Sequence, residues 1–175
     1  MAKKLATSIQ WQFFPKSNAP TALSTKVVQA FMAVAGSIDS SKHDHRSDVV
    51  LRQVSESLRA IGFAVEAGKT RAQKLCVPVL FGKNGHIEKS FEADAFHERA
   101  GFVLEVEAGR GVVNNQFLKD FFQACMMHNV RFLGIAVRNR YKGNRDFDRV
   151  ISFFDTLYAS RRLDLPLEGV LIIGY

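Results

Sequence analysis

The stretch IEKSFEADAFHERAGFVLEVE, residues 87–107, decides how the chain is read. Ile87 to Phe96 has the two-residue period of a strand, His97-Glu98-Arg99-Ala100-Gly101 makes a turn, and Phe102 to Glu107 returns as a second strand. In the returning strand Phe102, Leu104 and Val106 fall on one face, and Val103, Glu105 and Glu107 on the other. Glu92 and Asp94 share a face of the preceding strand, and the turn is short enough to bring that face beside Glu105 and Glu107. Carboxylates gathered in this way repel one another unless protons or cations intervene. Hard oxygen ligands on a sheet suit Mg2+, Mn2+ or Ca2+, and Mg2+ is commonly held by one or two carboxylates, with phosphates and waters at its other positions. The same Glu-Val-Glu alternation is also ordinary patterning on a solvated sheet face. Position argues for a site: the acids lie on successive strands of a basic protein, just before Gly109-Arg110-Gly111 and a helix.

Upstream, Leu75 to Phe81 is a strand candidate joined to Ile87 by Lys83-Asn84-Gly85-His86, whose Asn-Gly pair is typical of a tight turn. Residues 75–81, 87–96 and 102–107 therefore form a three-strand antiparallel meander. Before it come helices at about Ser24–Ala35 and Ser47–Ala60, the second capped by Ser47 and closed by Gly62, and a short strand at Phe63–Val65. After it, a helix at about Asn114–His128 carries the stripe Phe117, Leu118, Phe121, Phe122 and Cys125. Val130–Val137 is a buried strand, Asp146–Ser160 a last helix, and Val170–Ile173 a short apolar strand. The order predicts an α/β fold. Its mixed central sheet combines the meander with parallel strands, joined by a right-handed crossover and flanked by helices. Residues 1–175 read as one domain, with 1–20 an irregular arm containing Pro15, Ser17, Asn18 and Pro20.

Composition sets outer bounds. Hydrophobic residues at 47% and charged residues at 23% allow an ordinary core and argue against disorder. No apolar run approaches the roughly 20 residues of a spanning helix. The basic start, Met1 to Ala6, leads into Gln10, Trp11 and Gln12 and not into a signal-peptide apolar region, so a cytoplasmic protein is expected. Cys76 and Cys125 read as small core residues, without a disulfide or a structural zinc site. The net charge of +7 points to a polyanionic partner, of which nucleic acid is the commonest, or to simple solubility. Lys69, Arg71 and Lys74 form one basic loop; Arg138, Arg140, Lys142 and Arg145, with Tyr141 among them, form another suited to a nucleic-acid backbone. Arg110, Asn114 and Asn115 follow the acidic strand closely and can touch phosphate or bases, although Asn at a helix start is equally an ordinary cap.

Phe91-Glu92-Ala93-Asp94-Ala95-Phe96, the hairpin, Val103-Leu104-Glu105-Val106-Glu107 and the following helix resemble the PD-(D/E)xK nuclease superfamily, as does the element order over about residues 47–137. The resemblance implies a restriction endonuclease-like fold and Mg2+- or Mn2+-dependent hydrolysis of DNA, of a restriction or defence type. By the same resemblance Asp94 and Glu105 are the metal-binding acids, and Glu107 stands where the family has its signature lysine. Two departures are plain: Ala93 replaces the motif's proline, and Glu107 is not lysine. Some restriction endonucleases of the superfamily carry Glu at that position; Lys119 on the next helix is the alternative group to orient water. Glu56 is a further acid in keeping with the family, or a surface residue. A protein of this size would cut both strands most simply as a homodimer. The alternative reading is a catalytically inactive module on the same fold, binding nucleic acid or a protein.

Overall fold

Helix and strand formation follow the sequence periods closely in the second half of the chain. The computed structural model describes residues 8–175. Strands β1 (Gln10–Phe14), β2 (Ala64–Val65), β5 (Ala95–His97), β6 (Phe102–Val106), β7 (Phe132–Val137) and β8 (Gly169–Gly174) form one sheet in the order β1-β8-β7-β6-β5-β2. β6, β7 and β8 are parallel; β1, β5 and β2 join antiparallel to their neighbours. The long helices are α1 (Ala22–Ala33), α3 (Ser47–Ala60), α4 (Gln116–Met126) and α5 (Asp146–Ser160), and a single turn α2 (Ala35–Ile38) follows α1. Among the described residues, no helix is long and apolar enough to cross a membrane.

The architecture is α/β in three layers. β7 and β8 read as unbroken apolar runs because both their faces are covered. On one side Val27 and Phe31 of α1 and Val50, Val54 and Leu58 of α3 pack against Phe102, Leu104, Ala136 and Leu171. On the other, Phe117 and Phe121 of α4 and Val150 and Phe154 of α5 pack against Val103, Leu133, Ile135 and Ile172. The strand alternation therefore fixes which layer each β6 side chain meets: Val103 faces α4 and α5, and Glu105 and Glu107 follow it.

Several details depart from the sequence reading. Gln10–Phe14, expected within an irregular arm, is the strand β1, paired from Gln10↔Gly174 to Phe14↔Val170. Residues 1–7 of that arm lie outside the described residues. The three-strand meander is not one sheet. Its middle strand breaks at Asp94 into β4 (Ile87–Ala93), which pairs with β3 (Leu75–Phe81) in a separate two-stranded ribbon, and β5, which pairs with β6. The break follows from the hydrogen bonds at Asp94: its carbonyl accepts from Glu66 N at 2.8 Å and its Oδ2 accepts from Val106 N at 2.7 Å. On α4, Phe122 turns out to solvent at 53% exposure, and Ala124 takes the core position. Cys76 is exposed rather than a core residue, and both cysteines are free. Arg46 is the N-cap of α3, with Ser47 the first helical residue.

Gly101 closes the turn into β6 with φ 62°, and its carbonyl accepts from Arg131 N and Phe132 N at the start of β7. A Cβ there would stand 2.2 Å from the carbonyl oxygen of Asn129. Gly101→Ala is expected to destabilise the protein by about 2 kcal/mol or more, through left-handed strain and this clash. Urea unfolding measures it; an unchanged midpoint would show that this turn is not held in the described geometry.

Candidate active site: a carboxylate pocket between β6 and α4

β6 directs Glu105 and Glu107 toward α4, and the break at Asp94 turns a third carboxylate the same way, so that all three line one pocket of about 410 Å3. α4 adds Asp120. Its position is dictated by helical spacing, because Asp120 lies three residues from Phe117 and four from Ala124, both core residues. Asp120 is only 6% exposed and its Oδ2 has no hydrogen-bond partner. Glu66, just beyond β2, and Glu92 of β4 stand at the rim.

The electrostatics of this pocket are those of acids short of counter-charge. Burial pushes Asp94 up to about 6; the Val106 N–H opposes that rise, and the charges of Glu66 and Asp120 add to it. The change from 3.8 to about 6 corresponds to about 3 kcal/mol in favour of the protonated form. Glu105 is raised well above the usual carboxylate range, first by burial and then by Asp94, Asp120 and Glu107. Glu107 and Asp120 are both raised, again first by burial, and their mutual interaction raises Glu107 further while opposing the rise of Asp120. The backbone of Glu107 is fixed independently: its N–H donates to Ala136 O at 2.8 Å and its carbonyl accepts from Tyr175 Oη at 2.7 Å.

Two lysines reach the pocket. Lys74, from the first basic loop, turns inward, 3.1 Å from both Glu66 oxygens and 3.2 Å from Glu92. Lys119 lines the same pocket 61% exposed, 3.9 Å from Asp120 Oδ1. One ammonium is thus already shared by two rim acids, and the other is mostly in solvent. Among the described residues the ion pair to the inner four carboxylates is the long Lys119–Asp120 contact.

The donor set suits a hard divalent cation on two observations: an orphaned buried carboxylate oxygen, and three further acids forced toward protonation by burial and one another. Among the described residues, no three His, Cys, Asp or Glu side chains are already arranged to hold an ion. Asp94 and Glu105 would hold the cation with phosphate and water oxygens at its remaining positions, the arrangement usual for Mg2+.

The sequence-derived residues distribute unevenly. Asp94, Glu105, Glu107 and Lys119 converge on this pocket. Arg110, Asn114 and Asn115 are exposed on the loop before α4 and do not line it. Lys69 and Arg71 are exposed beyond Glu66. Arg138 is buried, with its guanidinium donating to Asp44 and the carbonyl of His45, while Arg140 and Lys142 are exposed. Glu56 is an exposed residue of α3, outside the pocket. Asp120 and Glu66 were not singled out from sequence. For Asp120 a signal existed, an acid at a core-facing position of an otherwise apolar helix face; for Glu66 there was none. No protein-family model and no curated protein matches this chain.

Proposed function

We propose that the chain is a metal-dependent phosphodiesterase acting on DNA, a PD-(D/E)xK-like nuclease of restriction or defence type with a restriction endonuclease-like fold. The observation that carries the reading is the meeting of Asp94, Glu105, Glu107 and Asp120 in one pocket of a protein whose net charge is +7. A buried set of acids repels a polyanion unless a cation stands between them, and the basic exterior attracts one. Asp94 and Glu105 bind Mg2+ or Mn2+, which when bound polarises the scissile phosphate and lowers the pKa of an attacking water. Glu107, once it has lost its own proton, accepts the proton of that water, and Asp120 sets the pH at which that loss occurs. Lys74 holds Glu66 and Glu92 in place at the rim. Arg140 and Lys142, with Lys69, Arg71, Arg110, Asn114 and Asn115, supply the contacts to the DNA backbone, and a homodimer places two such sites on opposite strands. Glu107 at the lysine position favours a second reading: the same fold as an inactive binding module.

The deciding experiment is cleavage of supercoiled plasmid by the purified protein with Mg2+ or Mn2+, beside the Asp94→Ala/Glu105→Ala double variant. Metal-dependent nicking by the wild type alone is expected. No nicking by either protein would favour the binding module, and nicking by both would place the active site elsewhere.

A further inference from the structure

The acid pocket does not end at Glu107. It meets a second cleft at Ser47, beside Ala108 and Gly109, and that cleft shares Asp44, Arg138 and Tyr141 with a third that reaches Lys42 and Lys142. Together they make a trough between the loop 39–46 and the loop 138–144, leading away from the carboxylates. Its charge is opposite to theirs: Lys42, Arg46, Arg138, Arg140 and Lys142 line it, with Asp44 the one acid among its described lining residues, although Lys42 and Arg46 are also paired with Asp39 and Asp48 outside it.

The trough is built, and not merely basic. Ser40 Oγ donates to the Tyr175 carbonyl and accepts from Asn139 N at 3.1 Å, tying the two loops together. His43 and His45 stack in parallel 4.8 Å apart, each bonded to a carbonyl of α2. Tyr141 and Asn144 exchange backbone hydrogen bonds around Lys142 and Gly143, at φ 47° and 85°, the pattern of a rigid two-residue turn. That turn holds Lys142 out beside the Tyr141 ring at 5.5 Å, and among the described residues neither Lys142 nor Arg140 has an ionic partner.

Arg138 is the informative residue. Its side chain is 6% exposed, while the Asp44 carboxylate it binds is 87% exposed. A buried guanidinium is thus matched by an oxyanion that water can reclaim at little cost. Guanidinium forks bind phosphate as they bind carboxylate. The Tyr141 ring already carries Arg138 at 5.1 Å as well as Lys142, so this trough offers charge and not a stacking face for a base.

We infer that the trough seats the phosphodiester backbone of a polynucleotide flanking the acid pocket, and that Asp44 occupies the phosphate position on Arg138 until the strand displaces it. The identity of the polyanion rests on the reading of the acid pocket as a phosphodiester site; the trough's preference for oxyanions does not.

The test is anisotropy of a short labelled DNA duplex in EDTA, so that binding is read without cleavage, across a series of salt concentrations. Arg140→Ala/Lys142→Ala is expected to weaken binding roughly tenfold or more and to make the salt dependence shallower by about 2. Asp44→Asn is expected to tighten binding several-fold, and Lys83→Ala/Arg99→Ala, two exposed cations outside the trough, to change it far less. Inorganic phosphate serves as competitor. If phosphate binds as tightly as the duplex, the trough takes a small anion and the polynucleotide inference falls. It also falls if the trough variants lose no more than the control, or if the wild type does not bind DNA. Expected binding behaviour with an uncut plasmid would instead sink the nuclease reading and leave the trough standing.

Discussion

Glu105→Gln is expected to abolish metal-dependent cleavage and, in the absence of metal, to make the protein more stable. The first effect follows from its place on β6, lining the same pocket as Asp94. Loss of a charged ligand there should cost about 10³-fold in rate, the equivalent of the several kcal/mol that a bound divalent cation contributes to the transition state. The second follows from the sign of its shift. Glu105 lies well above its ordinary 4.5 because it is buried among other acids. Between that value and the folded one, the unfolded chain has released its proton while the folded protein keeps it. Stability is therefore full below the ordinary value and falls as pH rises through the folded value. Asp94, at about 6, adds a similar loss between roughly pH 4 and 6. Glutamine keeps the shape and removes the titration. Urea unfolding in EDTA at mildly acidic and at alkaline pH should show the wild type losing stability between them, and the variant losing less. Mg2+ should restore the wild type at alkaline pH by mass action and do little for the variant. A variant that cuts normally would remove Glu105 from the site; one less stable than the wild type at alkaline pH would mean that its charge is favourably compensated.

α3, α5, β7 and β8 obey one rule each, an apolar stripe at helical spacing or an unbroken apolar run, and the structure keeps the expected Ser47–Ala60 and Asp146–Ser160. β1 failed because its evidence lies at the other end of the chain: Gln10–Phe14 is a strand only because β8 offers it an edge. The meander failed for a similar reason. A period of two is read from Ile87 to Phe96, yet the strand divides at Asp94, where a side-chain oxygen takes the Val106 N–H. A hydrogen bond that replaces a sheet bond leaves no mark on hydrophobic periodicity.

The site shows the same division. Asp94, Glu105 and Glu107 were legible because alternation alone places them together. Asp120 breaks the pattern of its own helix, an acid where Phe117, Phe121 and Ala124 mark the buried face, and such a break is the usual sign of a functional group. The Glu66 and Glu92 contacts of Lys74 were not legible because a basic loop in sequence looks alike whether its lysine faces solvent or, as here, reaches back to acids.

The water-activating group is decided by the pH dependence of cleavage. If Glu107 is the base, the rate rises with pH along a limb set by the Glu107–Asp120 pair, because Glu107 accepts a proton only once it has lost its own. Burial holds Glu107 high, the hydrogen bond and charge of Asp120 hold it higher, and Lys119 pulls it down. Removing those influences one at a time predicts opposite displacements. Asp120→Asn takes away a negative neighbour and should move the limb to lower pH. Lys119→Met takes away a positive one and should move it to higher pH, with the plateau rate nearly kept. Glu107→Gln should lower the plateau by about 10²–10⁴-fold, the usual contribution of a positioned base, and erase the limb. Were Lys119 the group that orients water, the pattern would invert: Lys119→Met would collapse the plateau, and Glu107→Gln would leave most of it. The three profiles therefore separate a carboxylate base from a lysine that has moved to the neighbouring helix, and the direction of the Asp120→Asn shift is the part that neither general misfolding nor weaker metal binding would imitate.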